Sequence, residues 1–394
     1  MAKFRILTLN SIAQIGLQRL PAERYEVGAK VDDADAIMVR SQDMHTMDIA
    51  PRVQAIARAG AGTNNIPIKK MSERGMPVFN APGANANAVK ELVIAGMLMA
   101  ARNLEPAMKF VSALKGDDKE INQAVEDGKK AFAGCELPQQ TLGVIGLGKV
   151  GSLTADAAIK LGMNVLGYDP HITVDAAWSL PSQVRKANSV EEVLRVADFI
   201  TLHVPLMDST KNLINAERLK LVRSEAILLN FSREGVVDNR AVLEALSEKR
   251  LGYYVCDFPA HDLIGASKVI SLPHLGASTR EAEDNCAIMV ADQLRDFLEH
   301  GNIQNSVNFP DVVMQRGSPY RVAIANTNVP NMLGQISTAM AEAGLNILDM
   351  LNKSKGDMAY TLVDVDSVVK PAVIERLGQI KGVLAVRYLP HAAA

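Results

Sequence analysis

One stretch constrains this chain more than any other: TLGVIGLGKVG, residues 141–151. An apolar, strand-like run ends in Gly146-x-Gly148-x-x-Gly151 and passes directly into a helical pattern that Gly162 stops. The first glycine permits a tight turn, the second lets backbone approach a pyrophosphate, and the third lets helix pack on strand. The start of the helix offers unpaired N–H groups to the anion. The pattern alone also fits a mere packing turn. Asp169, closing the next apolar run NVLGYDP, tips the reading toward a cofactor. A carboxylate there meets an adenosine ribose and repels a 2′-phosphate, so NAD is expected rather than NADP. Such turns usually open a domain, whereas this one comes 140 residues into the chain.

The 394 residues exceed one ordinary core and suggest two or three domains. Apolar residues at 48% and charged residues at 22% describe a soluble globular chain, and a formal charge of −2 predicts no affinity for nucleic acid or anionic membranes. Cys135, Cys256 and Cys286 match neither a disulfide framework nor a zinc pattern, which points to a reducing cytoplasm and no metal. The most apolar helical stretch, 92–101, is too short to span a bilayer.

Short strand-like runs alternate with turns up to about residue 88, the rhythm of a parallel α/β layer. A helix follows over 88–102, apolar nearly all round and therefore expected to be buried. From 141 a second α/β series begins, with six or seven β-runs and crossovers, which describes a doubly wound sheet. Ser189 with Glu192 and Ser278 with Glu281 read as capping boxes opening helices. Over the last 75 residues the order becomes βαββαβ, a ferredoxin-like module. There Leu333, Ile336 and Met340 share one helix face and the turn KSKGD makes a hairpin.

Two segments offer catalytic groups. NFSREGVVD puts Arg233 just beyond a strand, at the edge where open α/β sheets bind ligands, and a guanidinium can pair bidentately with a carboxylate. SLPHLGAST puts His274 beyond another strand on the same edge. Taken singly, the arginine is as readily structural as catalytic, and a lone histidine is more often structural.

In this order, TLGVIGLGKVG, LHVPLMDSTKNLIN, NFSREGVVD and PHLGAST resemble the D-2-hydroxyacid dehydrogenase family, and RAGAGTNNI and NAPGANANAVKEL resemble its substrate-side segments. With the C-terminal module, the chain is most similar to the branch that oxidises D-3-phosphoglycerate and carries an ACT-type regulatory domain. The resemblance spans nearly the whole sequence. It implies two doubly wound lobes: a Rossmann domain (89–275) inserted in a flavodoxin-like substrate domain (1–88 with 276–305). A linker (306–319) and a ferredoxin-like ACT domain (320–390) would follow. Insertion explains the late glycine turn, and the active site would lie between the lobes.

By position, the resemblance implies that Arg233 holds the substrate carboxylate and C2 oxygen while His274 accepts the hydroxyl proton. The family supports that histidine with a Glu in a DVF…EP segment; CDFPAHDLIG departs from it. An ungapped count from Asp257 puts Asp262 there and one gap puts His261. Asp262 is preferred because a carboxylate can stabilise an imidazolium. The NAD site would comprise Ala61, Gly146, Gly148, Lys149, Val150, Gly151, Asp169, Val204, Phe231, Ser232, Arg233, Asp257, His274, Gly276 and Ala277.

Arg40 and Arg58, both ending strand-like runs, with Ser41 and Lys90, are the candidates for binding a phosphorylated 2-hydroxy acid, although cations at strand ends are also commonly just solvated. In the tail, Asn328 and Asn346 match serine-binding positions of ACT domains. Asn326 stands where His is common and Asn331 where Gly is usual. The expectation is NAD-dependent oxidation of D-3-phosphoglycerate to 3-phosphohydroxypyruvate, the first step of serine biosynthesis. L-Serine is the expected effector and a homodimer or homotetramer the expected assembly. The alternatives are a glyoxylate/hydroxypyruvate reductase and a non-catalytic NAD(H) or amino-acid sensor.

Overall fold

The computed structural model describes residues 3–390; residues 1 and 2, the start of the expected first segment, lie outside it. The chain falls into two compact units, one formed by residues up to Asn85 with those from Arg280 onward, the other by Ala86–Thr279.

The first unit contains strands β1 (Phe4–Leu9), β2 (Tyr25–Gly28), β3 (Ala36–Val39), β4 (Ala55–Arg58) and β5 (Val78–Phe79). They pair in parallel in the order β2-β1-β3-β4-β5. β2 has no clear signal in YEVG, which carries a glutamate and ends in glycine. The helix Arg280–His300 turns Cys286, Val290, Leu294, Phe297 and Leu298 into the core that holds Ile6, Met38 and Phe79. It begins two residues beyond Ser278, the position expected to cap it.

In the second unit, β6 (Thr141–Ile145), β7 (Asn164–Tyr168), β8 (Arg185–Lys186), β9 (Phe199–Leu202), β10 (Ile227–Asn230), β11 (Tyr253–Cys256) and β12 (Val269–Ser271) form one parallel sheet. Its order is β12-β11-β10-β9-β6-β7-β8, so the winding reverses between β6 and β9, the crevice where ligands of open α/β sheets bind. Residues in the middle of β9, β10 and β11 are buried on both faces, as expected when helices cover a parallel sheet. The helix expected over 88–102 runs Ala86–Ala101, and only one side is buried: Val89, Val93, Met97 and Ala100 pack inward while Leu98 is exposed. Ser189 caps its helix, accepting from the Glu192 backbone. The Glu192 carboxylate, however, accepts from the N–H of Asn188 rather than of Ser189, so the box is only half closed.

Between Ala101 and β6 the chain makes two helices absent from the sequence reading, Leu104–Ala113 and Asp118–Gly128, neither of which buries any residue. Asp117 and Glu120 form a complete capping box at the second, a signal present in GDDKE.

Strands β13 (Tyr320–Thr327), β14 (Ile347–Lys355), β15 (Met358–Val365) and β16 (Val383–Pro390) form an antiparallel sheet ordered β14-β15-β13-β16. With helices Met332–Glu342 and Pro371–Gly378 this is the βαββαβ arrangement. Val322, Ile324 and Val363 pack under the helices with Ile336, Met340 and Leu377. Alternation along the strands sends Ala323, Ala325, Tyr360 and Leu362 to the opposite face, into the core shared with Phe297 and Leu298. Both faces are therefore covered, and residues 320–390 belong to the first unit. The inward helix face is set by Met332, Ile336 and Met340; Leu333 is exposed. No helix among the described residues is long and apolar enough to cross a membrane.

Candidate active site

The glycine turn is built as its chemistry requires. Gly146 has φ +94°, a left-handed conformation costly for a residue with a Cβ. A Cβ on Gly151 would lie 1.9 Å from the Gly146 carbonyl oxygen, so helix and turn touch there. At Gly148, immediately before the helix Lys149–Lys160, an added Cβ would meet nothing within 4 Å. The turn is tight where backbone meets backbone and open where an anion would approach the helix start.

Asp169 follows β7. Its carboxylate accepts from the backbone N–H of Leu147 at 2.9 Å and of His171 at 2.9 Å, tying the end of β7 to the glycine turn. A cavity of about 440 Å³, lined by Leu147, Tyr168, Asp169, Ile172, Leu180 and Asn188, lies beside it. Its mostly apolar walls, with the Asp169 carboxylate and Lys186, suit a nucleoside whose ribose would meet Asp169. These residues fit a dinucleotide of the NAD type. His203, after β9, sets its imidazole Nε2 3.0 Å from Thr201 Oγ1, and burial holds its pKa down to about 3.

At the end of β10, buried Asn230 organises the next turn. Its side-chain oxygen accepts from the Ser232 hydroxyl at 2.9 Å and the Ser232 N–H at 3.2 Å, and its amide nitrogen donates to the Arg233 carbonyl at 2.9 Å. The Arg233 guanidinium is exposed and donates once, to the Ser232 carbonyl at 2.6 Å. Phe231 and Ser232 belong to the expected cofactor site; Asn230, a polar side chain ending a fully apolar strand, is an additional member.

His274 follows β12, with φ +57° and an exposed imidazole. Asp257, buried at the end of β11, takes the Leu275 N–H at 2.7 Å and the Gly276 N–H at 2.8 Å on its two oxygens. The Phe258 ring stands edge-on to the imidazole at 5.1 Å. Asp262 instead lies with one oxygen 3.6 Å from Nδ1 of His261, both side chains being exposed. Among the described residues, no carboxylate is within ion-pair distance of His274.

Strands β10, β11 and β12 are parallel neighbours, so Arg233 and His274 leave the same edge of the sheet, one strand apart. The strands they follow, β10 and β12, lie two spacings, roughly 10 Å, apart. The glycine turn, Val204 and Ala277 leave that same edge. Lys90, in the helix Ala86–Ala101, donates to Asn87 at 2.6 Å.

In the first unit, Arg40 follows β3 and places Nη2 2.5 Å from Glu283 Oε1. Arg58 donates from Nε to the Arg40 carbonyl at 3.0 Å, and its guanidinium fills the space a side chain on Gly60 would need. The Ser41 N–H donates to Asn10 at 3.0 Å. Ala61 accepts from the Asn80 amide at 2.6 Å. Arg40, Ser41 and Arg58 thus form one cluster, with Glu283 as a member the sequence reading did not name.

In the C-terminal sheet, Asn326 is buried with its side-chain oxygen unpartnered, whereas Asn328 and Asn346 are exposed. Asn331 adopts φ +62°, the conformation a glycine would take there, and its side chain covers Gly334.

Residues 94–276 match the family described as D-isomer specific 2-hydroxyacid dehydrogenase, NAD binding domain. The chain is 34% identical over 352 residues to D-3-phosphoglycerate dehydrogenase of Methanocaldococcus jannaschii, covering 86% of this chain and 63% of that one. It is 30% identical to the enzyme of the same name from Haemophilus influenzae, covering 98% of both. Among solved structures, NAD+-bound 3-phosphoglycerate dehydrogenase of Entamoeba histolytica is similar at a TM-score of 0.60 and 25% identity, covering 78% of this chain and 99% of that one.

Proposed function

Because the chain belongs to the D-isomer-specific 2-hydroxyacid dehydrogenase family, we propose that it is an NAD-dependent enzyme oxidising D-3-phosphoglycerate to 3-phosphohydroxypyruvate, the first step of serine biosynthesis. The observation that carries this reading is the common sheet edge from which the glycine turn, Arg233 and His274 all emerge.

Gly146, Gly148, Gly151 and Asp169 hold NAD, which when bound supplies the hydride acceptor. The exposed fork of Arg233 pairs with the substrate carboxylate and the oxygen on C2, fixing the C2–H bond toward the nicotinamide. His274 takes the hydroxyl proton as the C2–H electron pair departs, leaving a carbonyl, and returns that proton to water. Arg40, Ser41 and Arg58 are the proposed group for the phosphorylated end, and Lys90 is a further candidate cation. Two clustered guanidiniums suit a phosphate, although Glu283 offsets part of the charge of Arg40.

Steady-state rates with phosphorylated and unphosphorylated 2-hydroxy and 2-oxo acids test the assignment. A strong preference for the phosphorylated acid is expected, and none would favour a glyoxylate or hydroxypyruvate reductase. His274→Ala should abolish most turnover while leaving NAD binding intact; retained turnover would remove the proposed role.

The βαββαβ module serves as an ACT-type domain. Asn328 and Asn346 remain accessible to a serine effector, whereas Asn326 faces inward, which limits it to shaping the sheet. Titrating L-serine against activity tests the effector. We also propose a homo-oligomer. The helices Leu104–Ala113 and Asp118–Gly128 bury nothing, and Met108 and Val111 are 65% and 59% exposed, an apolar face that a second copy would cover. Three free cysteines suit a cytoplasmic enzyme.

A further inference from the structure

A histidine that accepts a proton during turnover must point the correct ring nitrogen at the substrate oxygen in every cycle. A carboxylate bonded to the other nitrogen commonly does this. In this chain the nearby carboxylates are otherwise engaged. Asp257 spends both oxygens on the N–H groups of Leu275 and Gly276, and Asp262 lies against His261.

What holds His274 is of another kind. Its backbone sits at φ +57°, an uncommon conformation for a residue with a side chain, and one that must be imposed by its surroundings. The Asp257 clamp fixes the next two residues. From the side, the Phe258 ring meets the imidazole at 5.1 Å between centroids and 63° between planes, the tilted packing aromatic rings favour. Phe258 is itself secured, because its carbonyl accepts from the buried Cys256 thiol at 3.5 Å.

We propose that Phe258 is a positioning residue for the reaction: its ring, together with the Asp257 clamp, aims the His274 imidazole in place of a carboxylate partner. This rests on the reading of His274 as the acid/base. The aromatic contact restricts ring rotation while leaving both nitrogens free, one for substrate and one for water.

The test uses the full-length enzyme with NAD and D-3-phosphoglycerate, comparing Phe258→Ala, Phe258→Tyr, Asp262→Asn and His274→Ala. Phe258→Ala should lower kcat roughly tenfold or more, with KM for both substrates nearly unchanged, because a slight misplacement of a reacting group costs rate rather than binding. Phe258→Tyr should restore most of kcat. Asp262→Asn should lower kcat far less than Phe258→Ala does. NAD titration and circular dichroism separate a misfolded variant from a misaimed one. A loss in Asp262→Asn matching that in Phe258→Ala, with a moved pH profile, would overturn the proposal in favour of a carboxylate partner. An unaffected Phe258→Ala would overturn it outright. Full activity in His274→Ala would instead reject the acid/base reading beneath it.

Discussion

The guanidinium of Arg321 and the carboxylate of Asp364 meet at 2.6 Å with neither side chain exposed at all. Arg321 also donates to the carbonyls of His300, Met314 and Gln315, and Asp364 accepts from the Gly317 N–H at 2.7 Å. The pair thus ties the end of the helix Arg280–His300, the segment after it and the C-terminal sheet into one body. Removing one partner strands a buried charge, which costs about 3–5 kcal/mol, whereas replacing both with apolar residues can be nearly neutral. Arg321→Met should therefore destabilise severely and Arg321→Met with Asp364→Leu far less, as read from urea denaturation of the full chain.

The glycine turn separates folding from binding. Gly151→Ala forces a methyl into the Gly146 carbonyl and should lower the melting temperature and expression. Gly148→Ala adds its methyl to open space and should melt like the wild type, yet bind NAD about tenfold more weakly or worse, because the added group would stand where the pyrophosphate is proposed to approach. Calorimetric titration with NAD beside thermal melts gives both readings. Equal NAD affinity in Gly148→Ala would place the cofactor elsewhere.

On the proposed reading, Asp169 discriminates between cofactors through its charge. Asp169→Asn keeps an acceptor for the Leu147 N–H but no longer repels a 2′-phosphate. The ratio of kcat/KM for NAD over NADP should fall about tenfold or more. An unchanged ratio would mean that the carboxylate does not face the ribose.

His203 ties stability to pH. Although the residue keeps some solvent exposure, burial lowers its pKa from 6.5 to about 3. The unfolded chain therefore binds a proton below pH 6.5 that the folded chain refuses until near pH 3. The stabilisation is complete above pH 6.5 and is lost as the pH falls, by up to about 1.4 kcal/mol per unit. His203→Gln should flatten the stability curve over that window, measured by urea denaturation at a series of pH values.

Much of the candidate site was legible because its residues lie at fixed offsets from strands. Gly146, Gly148, Gly151 and Asp169 follow a local rule, and Arg233 and His274 each come directly after an apolar run. Glu283 and Phe258 were not legible. Nothing near Glu283 marks it as the partner of Arg40, distant in the chain, and Phe258 acquires meaning only from a ring beyond the next strand. Of the helices 104–113 and 118–128, only the second carries a local start signal, the Asp117–Glu120 capping box. Residues 118–128 lack the apolar density by which helices are usually recognised, and in 104–113 Pro106 interrupts an otherwise apolar run.

Local chemistry alone determined the apolar strands, the tight turn and the βαββαβ order of the tail, since backbone sterics and side-chain alternation act over a few residues. Tertiary structure decided which carboxylate each cation meets, how His274 is held, and that the C-terminal sheet has both faces buried. Those outcomes depend on which distant segments share a core, and a one-dimensional pattern does not carry that information.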